Sequence, residues 1–236
     1  MTSPAQAEGG PPMVTDDPGT PGDGHWEINV AWTFERARGS TASDAPLVDA
    51  NYGVGDRIQL KYEVPWIVIN DSSAASRSGV GDSLIGVKWR FFDDGPSGWQ
   101  ISTYPQLSFR TSGEAQASGG VDDTGTLVIV PIEIERSFGW LSLNLDAGRV
   151  RIAHGADQSF VGLAAGHEID ERLEVMAEIH SERADHNDRM DALANVGVRW
   201  KLMDHGTLLV SLGRYLRDDF GTQRSAVGYV GWQFTL

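Results

Sequence analysis

Apolar and polar positions alternate along most of this chain. Trp26, Ile28, Val30, Trp32 and Phe34 alternate with Glu27, Asn29, Ala31, Thr33 and Glu35, and Ile58, Leu60, Tyr62 and Val64 alternate with Arg57, Gln59, Lys61 and Glu63. Near the end, Val230, Trp232, Phe234 and Leu236 share one side while Gly231, Gln233 and Thr235 share the other. A period of two sends successive side chains to opposite faces of a β-strand. Alternation and turn signals together predict twelve strands, at 24–36, 45–53, 56–66, 80–92, 98–110, 124–136, 139–152, 158–168, 172–182, 190–202, 206–217 and 225–236. Each is close to the roughly ten residues that a tilted strand needs to cross a bilayer.

The connections fall into two classes. Residues 53–56, 93–96, 136–139, 169–171 and 203–206 read as tight turns, whereas 37–44, 67–79, 111–123, 153–157, 183–189 and 218–224 read as longer polar loops. Short and long alternate, as in an outer-membrane barrel with short periplasmic turns and longer outer loops. A soluble sandwich has no reason to sort its loops by parity, and a soluble lipocalin-like barrel is the competing architecture. The predicted fold is all-β: a closed, antiparallel, up-and-down transmembrane barrel of twelve strands. The last strand pairs with the first, because lipid tolerates no open sheet edge. Residues 1–23 form an N-terminal tail without periodicity, expected in the periplasm, and 24–236 form the barrel. Ala5-Gln6-Ala7 before Glu8 has the small-x-small form of a leader-cleavage site, or is a chance match.

Side-chain facing follows from parity. Val87, Leu143, Val175 and Val198 are expected to face lipid, and Lys61, Arg90, Glu133, Glu178 and Arg199 the lumen. Gly148-Arg149 breaks the parity of its strand and suggests a bulge. Trp66, Trp89, Trp99, Trp140, Trp200, Trp232 and Phe234 fall near predicted strand ends, where an amphipathic ring suits the membrane interface. The lumen face is charged, with Glu27, Glu63, Asp82, Glu133, Glu135, Asp146, Glu174 and Glu178 against Arg57, Lys61, Lys88, Arg90, Arg110, Arg199, Lys201 and Arg214, and with His180 among them. In a narrow barrel such groups must pair, since an isolated buried charge is costly. They serve either as filler that fixes the register or as a constriction that selects a solute.

Composition agrees. Hydrophobic residues make up 40% of the 236 residues and mean hydropathy is −0.27, which suits strands that turn only every second residue to lipid. The net charge of −14 disfavours nucleic acid. There are no cysteines, and no phosphate-cradling glycine loop is found.

Several segments resemble the outer-membrane barrel family named for the meta-pathway of phenol degradation. They are residues 24–29, 52–60, 79–89, 104–109 and 195–200, which between them sample most of the chain after residue 24. The resemblance implies an outer-membrane channel for small solutes, aromatic ones among them. The final Leu236 departs from the terminal Phe common in such barrels.

Catalysis finds little support. His180 and Ser181 are adjacent, so in a strand they point to opposite faces and cannot form a nucleophile–base pair. His180, Asp185, His186 and Asp188 lie near one loop, where a solvated acidic surface is the simpler reading. Asp122, Asp123, Asp185, Asp188, Asp218 and Asp219 could bridge calcium but lack EF-hand spacing. The expectation is therefore a non-enzymatic channel in the bacterial outer membrane, without cofactor or resident metal. Its expected partners are outer-membrane lipid, the assembly machinery during biogenesis and a small solute, with a monomer favoured. The acidic loops predict an entrance that favours cations or neutral solutes. The rival readings are a sealed, ion-paired structural barrel and, more remotely, a rim hydrolase.

Overall fold

The computed structural model of the chain describes residues 10–95, 98–111, 126–153, 155–185, 189–220 and 223–236. Among these residues, fourteen β-segments form one closed antiparallel barrel of twelve strands. The strands are β1 (Trp26–Ala37), β2 (Ser40–Val54), β3 (Ile58–Asp71), β4 (Arg77–Val80 and Ser83–Asp93), β5 (Trp99–Thr103 and Gln106–Phe109), β6 (Leu127–Ser137), β7 (Leu141–Ile152), β8 (Gln158–Asp170), β9 (Leu173–Ala184), β10 (Met190–Met203), β11 (Gly206–Asp218) and β12 (Arg224–Thr235). β12 pairs with β1 from Glu27↔Thr235 to Ala37↔Arg224, which removes the sheet edge.

Two strands are interrupted, and the freed backbone groups are taken up locally. β4 breaks at Gly81-Asp82, where Gly81 N–H donates to the Pro65 carbonyl at 3.0 Å. β5 breaks at Tyr104-Pro105, because proline has no N–H to give the ladder. The Pro105 carbonyl nonetheless accepts Val87 N–H at 3.1 Å.

The tight turns lie at the end of the barrel that holds residue 26 and the C-terminus. The opposite end departs from the predicted loops. Where the alternation predicts a loop over 37–44, β1 runs to Ala37 and β2 starts at Ser40, leaving only residues 38 and 39 between them. Likewise β3 continues to Asp71, and β4 begins at Arg77. The signal vanishes there for a physical reason. Residues 40–44 are polar or small on both faces, and Ile67, Val68 and Ile69 are apolar on both faces, yet the ladder continues through Ser40↔Asp71 and Asp44↔Ile67. Most of the expected 111–123 loop lies outside the described residues.

The barrel is apolar outside and polar inside. On β7, Ser142, Asn144 and Asp146 are buried while Leu145 faces out, and on β10 Val196 is 60% exposed beside the buried Asn195. No bulge occurs at Gly148-Arg149. The β6–β7 register runs unshifted from Ser137↔Ser142 to Leu127↔Ile152, so Arg149 and Arg151 continue the outward parity of Leu145. Outward arginines are tolerated there because that end of β7 leads into the outer connection at 153–157.

Trp89, Trp99, Trp140, Trp200, Trp232 and Phe234 gather toward the turn end: Trp89 pairs with Ile58, Trp200 with Leu173 and Phe234 with Gly206. Trp66 does not stand at a strand end, since β3 runs five residues further to Asp71.

Spin labels on successive β7 positions test this register. Labels at 141, 143, 145, 149 and 151 should all fall on the oxygen-accessible or solvent-facing exterior, and labels at 142, 144 and 146 should not. A reversal of the pattern after residue 148 would reinstate the bulge.

Candidate functional site

The lumen holds a segment of the chain itself. Residues 10–25, expected as a periplasmic tail, turn inward from the start of β1. Met13, Thr15, Asp17 and Pro18 are buried. The chain doubles back in a turn in which Met13 N–H donates to the Gly10 carbonyl at 2.9 Å and Gly10 N–H to the Thr15 carbonyl at 3.1 Å. Below, the segment is tied to the β2–β3 turn: Gly24 N–H donates to the Gly53 carbonyl at 3.0 Å and Gly55 N–H to the Asp23 carboxylate at 2.8 Å.

The inner wall is built to hold this segment. Glu178 on β9 accepts Val14 N–H at 2.9 Å and Thr15 N–H at 2.7 Å, and Asn195 on β10 donates to the same carboxylate at 2.9 Å. Arg199 donates twice to the Pro11 carbonyl, at 3.0 and 2.9 Å, and lies 3.6 Å from Glu174. Ser211 on β11 donates to the Pro12 carbonyl at 2.8 Å. Asp146 on β7 accepts Asp16 N–H at 3.4 Å. Lys88 on β4 donates to the Asp16 carboxylate at 2.9 Å and to the Asp17 carbonyl, and sits 3.6 Å from Glu133. Glu133 itself is fully buried and accepts the Ser102 hydroxyl at 2.5 Å. The attachments therefore come from β4, β7, β9, β10 and β11.

On the opposite side the wall pairs with itself. Lys61 lies 2.8 Å from Glu63 and 3.4 Å from Asp49, and Asn29 donates to Glu27 at 3.3 Å. Gln59 donates to Asn51 at 2.8 Å and to the Tyr104 hydroxyl at 3.0 Å. Three cavities mark the remaining space. One of about 30 Å³ lies between Asp16, Asp17 and Thr20 of the segment and Glu27, Asp49, Asn51 and Lys61 of the wall. Another of about 340 Å³ lies between Pro12, Met13 and Val14 and the wall residues Thr33, Ser43, Asp44 and Ile67. A third of about 180 Å³ is bordered by Glu35, His180, Glu182, Asp191, Tyr215 and Arg224.

Of the remaining candidates, Arg90 donates to Gln100 at 2.9 Å and to the Asp56 carbonyl at 2.6 Å. Glu135 is buried. His180 is buried beside Glu182 at 3.6 Å and stacks on Phe160. Asp82 sits in the β4 break, half-buried. Three further candidates are exposed near strand ends and a fourth faces outward. Arg57 is exposed in the turn before β3, Arg110 is exposed beyond β5, and Lys201 is exposed near the turn end of β10. Arg214 shares the outward parity of Leu212, two residues away on β11. Ser181 donates to the Asp191 carbonyl at 2.9 Å, on the face opposite His180.

At the outer end, carboxylates are engaged by neighbours. Asp185 is held by Arg149, and Asp191 and Asp218 are held by Arg224. Arg217 donates to Asp219 at 2.6 Å, and this bond holds the Asp219 carboxyl below its ordinary value. Among the described residues no group of three or more His, Asp or Glu is arranged for a metal ion. Asp122, Asp123, His186 and Asp188 lie outside the described residues.

Sequence reasoning missed the inner segment and its ligands Asn195 and Ser211. The segment lacks periodicity, and nothing in its composition distinguishes a lumenal strap from a free tail. The only signal was indirect: Glu133 and Glu178 face inward with no basic residue opposite them on a neighbouring strand.

No family model matches the sequence, and no curated protein matches it. Solved structures do resemble it. An outer-membrane channel from Pseudomonas putida F1 is 12% identical, with a TM-score of 0.75 and 100% of each chain covered. The KdgM porin in complex with disordered oligogalacturonate is 11% identical, with a TM-score of 0.62 over 88% of this chain and 98% of that one. The CymD monoaromatic hydrocarbon channel is 9% identical, with a TM-score of 0.50 over 91% and 89%. The likeness is one of fold alone, a closed antiparallel β-barrel.

Glu178→Ala should release the segment. It removes the acceptor of two backbone amides and of Asn195, so exchange of the Val14 and Thr15 amides should rise about a hundredfold, roughly 3 kcal/mol of lost protection. Hydrogen exchange resolved to residues 10–20 measures this directly, and unchanged protection would show that the other anchors suffice.

Proposed function

We propose that this protein is a bacterial outer-membrane channel that passes small solutes between its inner segment and the β1–β3 wall. The observation that carries this reading is the one-sided attachment of the segment. Residues 11–17 are bonded to side chains of β4, β7, β9, β10 and β11, whereas the cavities of about 30 and 340 Å³ open between the segment and β1–β3, with the anchor Lys88 bordering the first and Asn195 and Ser211 the second. The narrow part carries Asp16, Asp17, Glu27 and Asp49 against Lys61 and Lys88, an acidic balance that favours neutral or cationic solutes. The wider cavity offers Met13, Val14, Ile67 and Val227 with the polar Thr33 and Asp44. That lining suits a compact apolar or aromatic body with a polar substituent. The monoaromatic channel among the structural neighbours and the sequence resemblance both support this solute class.

A second reading has its own support. The narrow cavity has room for about one water, and the segment is bonded throughout its inner part. A barrel that never opens would be a structural or surface-interaction protein. Its lumenal charges would then act only as filler.

Planar-bilayer recording separates the two. The full chain should show conductance well below that of open barrels of about 16–18 strands. Reversal potentials in a salt gradient should indicate cation preference, and Glu178→Ala should raise the conductance several-fold by loosening the segment. Anion preference would overturn the assignment of the acidic slit. Absence of both current and solute flux in the native chain and in Glu178→Ala would establish the sealed barrel.

A further inference from the structure

Two arginines stand on the outside of the barrel. On β1, Trp32 and Phe34 face outward and Arg36 continues their parity; on β11, Leu208, Val210 and Leu212 face outward and Arg214 continues theirs. Both arginines are exposed. They are in register: Arg36 pairs with Ala226 on β12, and Ala226 pairs with Arg214. The two guanidiniums thus flank one small outward residue, two strand spacings or about 10 Å apart at their origins. The next outward residue in the row, Ala194 on β10, is also small. Ser225 donates to the Arg36 carbonyl at 3.1 Å, which fixes the backbone at one side of the pair.

Neither side chain has a carboxylate partner among the described residues. The acidic groups nearby are already engaged. Glu35 points inward to Tyr215 and Arg224, Asp218 points to Arg224, and Asp219 is bonded to Arg217. Other outward arginines differ in this respect, since Arg149 is paired with Asp185 and Arg151 with Asp157. Two uncompensated cations at the edge of an apolar wall call for an anion supplied by the surroundings.

The height of the pair says which anion. Trp26 begins β1 at the turn end, and Arg36 lies ten residues further along the same strand. At ~3.3 Å per residue and a tilt near 40°, that distance is about 25 Å along the membrane normal, the height of the apolar band of a transmembrane barrel. Arg214, eight residues beyond Gly206 on β11, stands at about 20 Å, just inside the same edge of the band and within an arginine stem's reach of it. Trp32, Phe34, Val230 and Leu212 form the apolar surface below the pair. Long arginine stems can lie along that surface and lift their heads to the interface. The guanidinium fork matches phosphate oxygens bidentately.

We propose that Arg36 and Arg214 form a binding site for the phosphorylated headgroup of an outer-leaflet lipid, with Ala226 and Ala194 leaving room for its sugar or glycerol unit. This rests on the reading of the chain as an outer-membrane barrel with its termini on the periplasmic side. The site takes a lipid phosphate rather than free phosphate, because the acyl chains cover Phe34, Val230 and Leu212 while the headgroup meets the arginines.

The test uses the full chain purified in detergent, titrated with diphosphoryl lipid A and with its dephosphorylated form, and read by native mass spectrometry. Retention of the phosphorylated lipid should fall about tenfold in Arg36→Gln or Arg214→Gln, and further in the double variant, as expected for loss of charge-assisted bonds. Arg149→Gln, whose arginine is already paired, should retain it as the native chain does. Equal retention by the double variant, equal binding of the dephosphorylated lipid, or displacement by millimolar inorganic phosphate alone would each overturn the site. Quenching of tryptophan fluorescence by brominated lipid in reconstituted vesicles is measured in parallel. A barrel that is quenched yet shows no phosphate dependence loses only this site, whereas one that is not quenched loses the membrane reading itself.

Discussion

Everything in this structure follows from one constraint: in hydrocarbon, a backbone N–H or C=O has no water to fall back on, and each one left unpaired costs several kcal/mol. Closure of β12 on β1 is the first consequence. It is zipped to its last residue, with Trp26 N–H donating to the Leu236 carbonyl at 2.8 Å and Leu236 N–H returning to the Trp26 carbonyl at 2.9 Å. The same constraint explains how the wall survives its prolines and breaks. Where Pro131 and the β5 break interrupt the ladder, the Thr103 hydroxyl donates to the Pro131 carbonyl at 2.8 Å. Where β4 breaks, the Pro65 carbonyl takes the Gly81 amide instead of a regular ladder partner.

Closure creates the second problem. Twelve alternating strands send their polar faces into one narrow space, and carboxylates there lose most of their solvation. On the β1–β3 side the wall resolves this itself, through Lys61 with Asp49 and Glu63. On the β7–β10 side it does so only in part: Arg199 lies 3.6 Å from Glu174 and Asn195 donates to Glu178, but Glu178 also takes the backbone amides of residues 14 and 15. On β4, Lys88 finds its nearest carboxylate in Asp16. The inner segment is thus part of the charge balance of the wall and not an added element. Gly197 fits the same picture, because a side chain at that position would collide with the tip of Met13.

Most of the barrel was legible because lipid enforces the alternation that the sequence records. Val87 beside Lys88 and Leu145 beside Asp146 leave no other facing. Legibility ended where the enforcing medium ended. Residues 40–44 and 67–71 lie in strands, yet their two faces are no longer distinguished by polarity, so they read as loop. Arg149 and Arg214 were misread for the same reason: an arginine at interface depth need not face inward. The site was legible only in halves. Glu133, Glu174, Glu178 and Arg199 could be placed on the inner face by parity. Their partners could not, since hydrogen bonds to the Pro11 and Pro12 carbonyls and to the Val14 and Thr15 amides use backbone, and backbone leaves no mark in sequence.

The net charge of −14 is, at the outer end of the barrel, partly compensated by neighbouring arginines among the described residues. The expectation of a negative entrance assumed that the outer acids act as free charges. Among the described residues they do not: Asp185 is held by Arg149, Asp219 by Arg217, and Asp191 and Asp218 by Arg224. A close ion pair looks like a dipole from a distance, and its residual field is screened within about one Debye length, ~8–10 Å in ordinary salt. Charges deep in the barrel are screened far less. Inside the barrel, Asp16, Asp17, Glu27 and Asp49 face Lys61 and Lys88 across the narrow cavity. Two of those six groups belong to the inner segment. Any displacement of the segment changes the width of this cavity and its charge together.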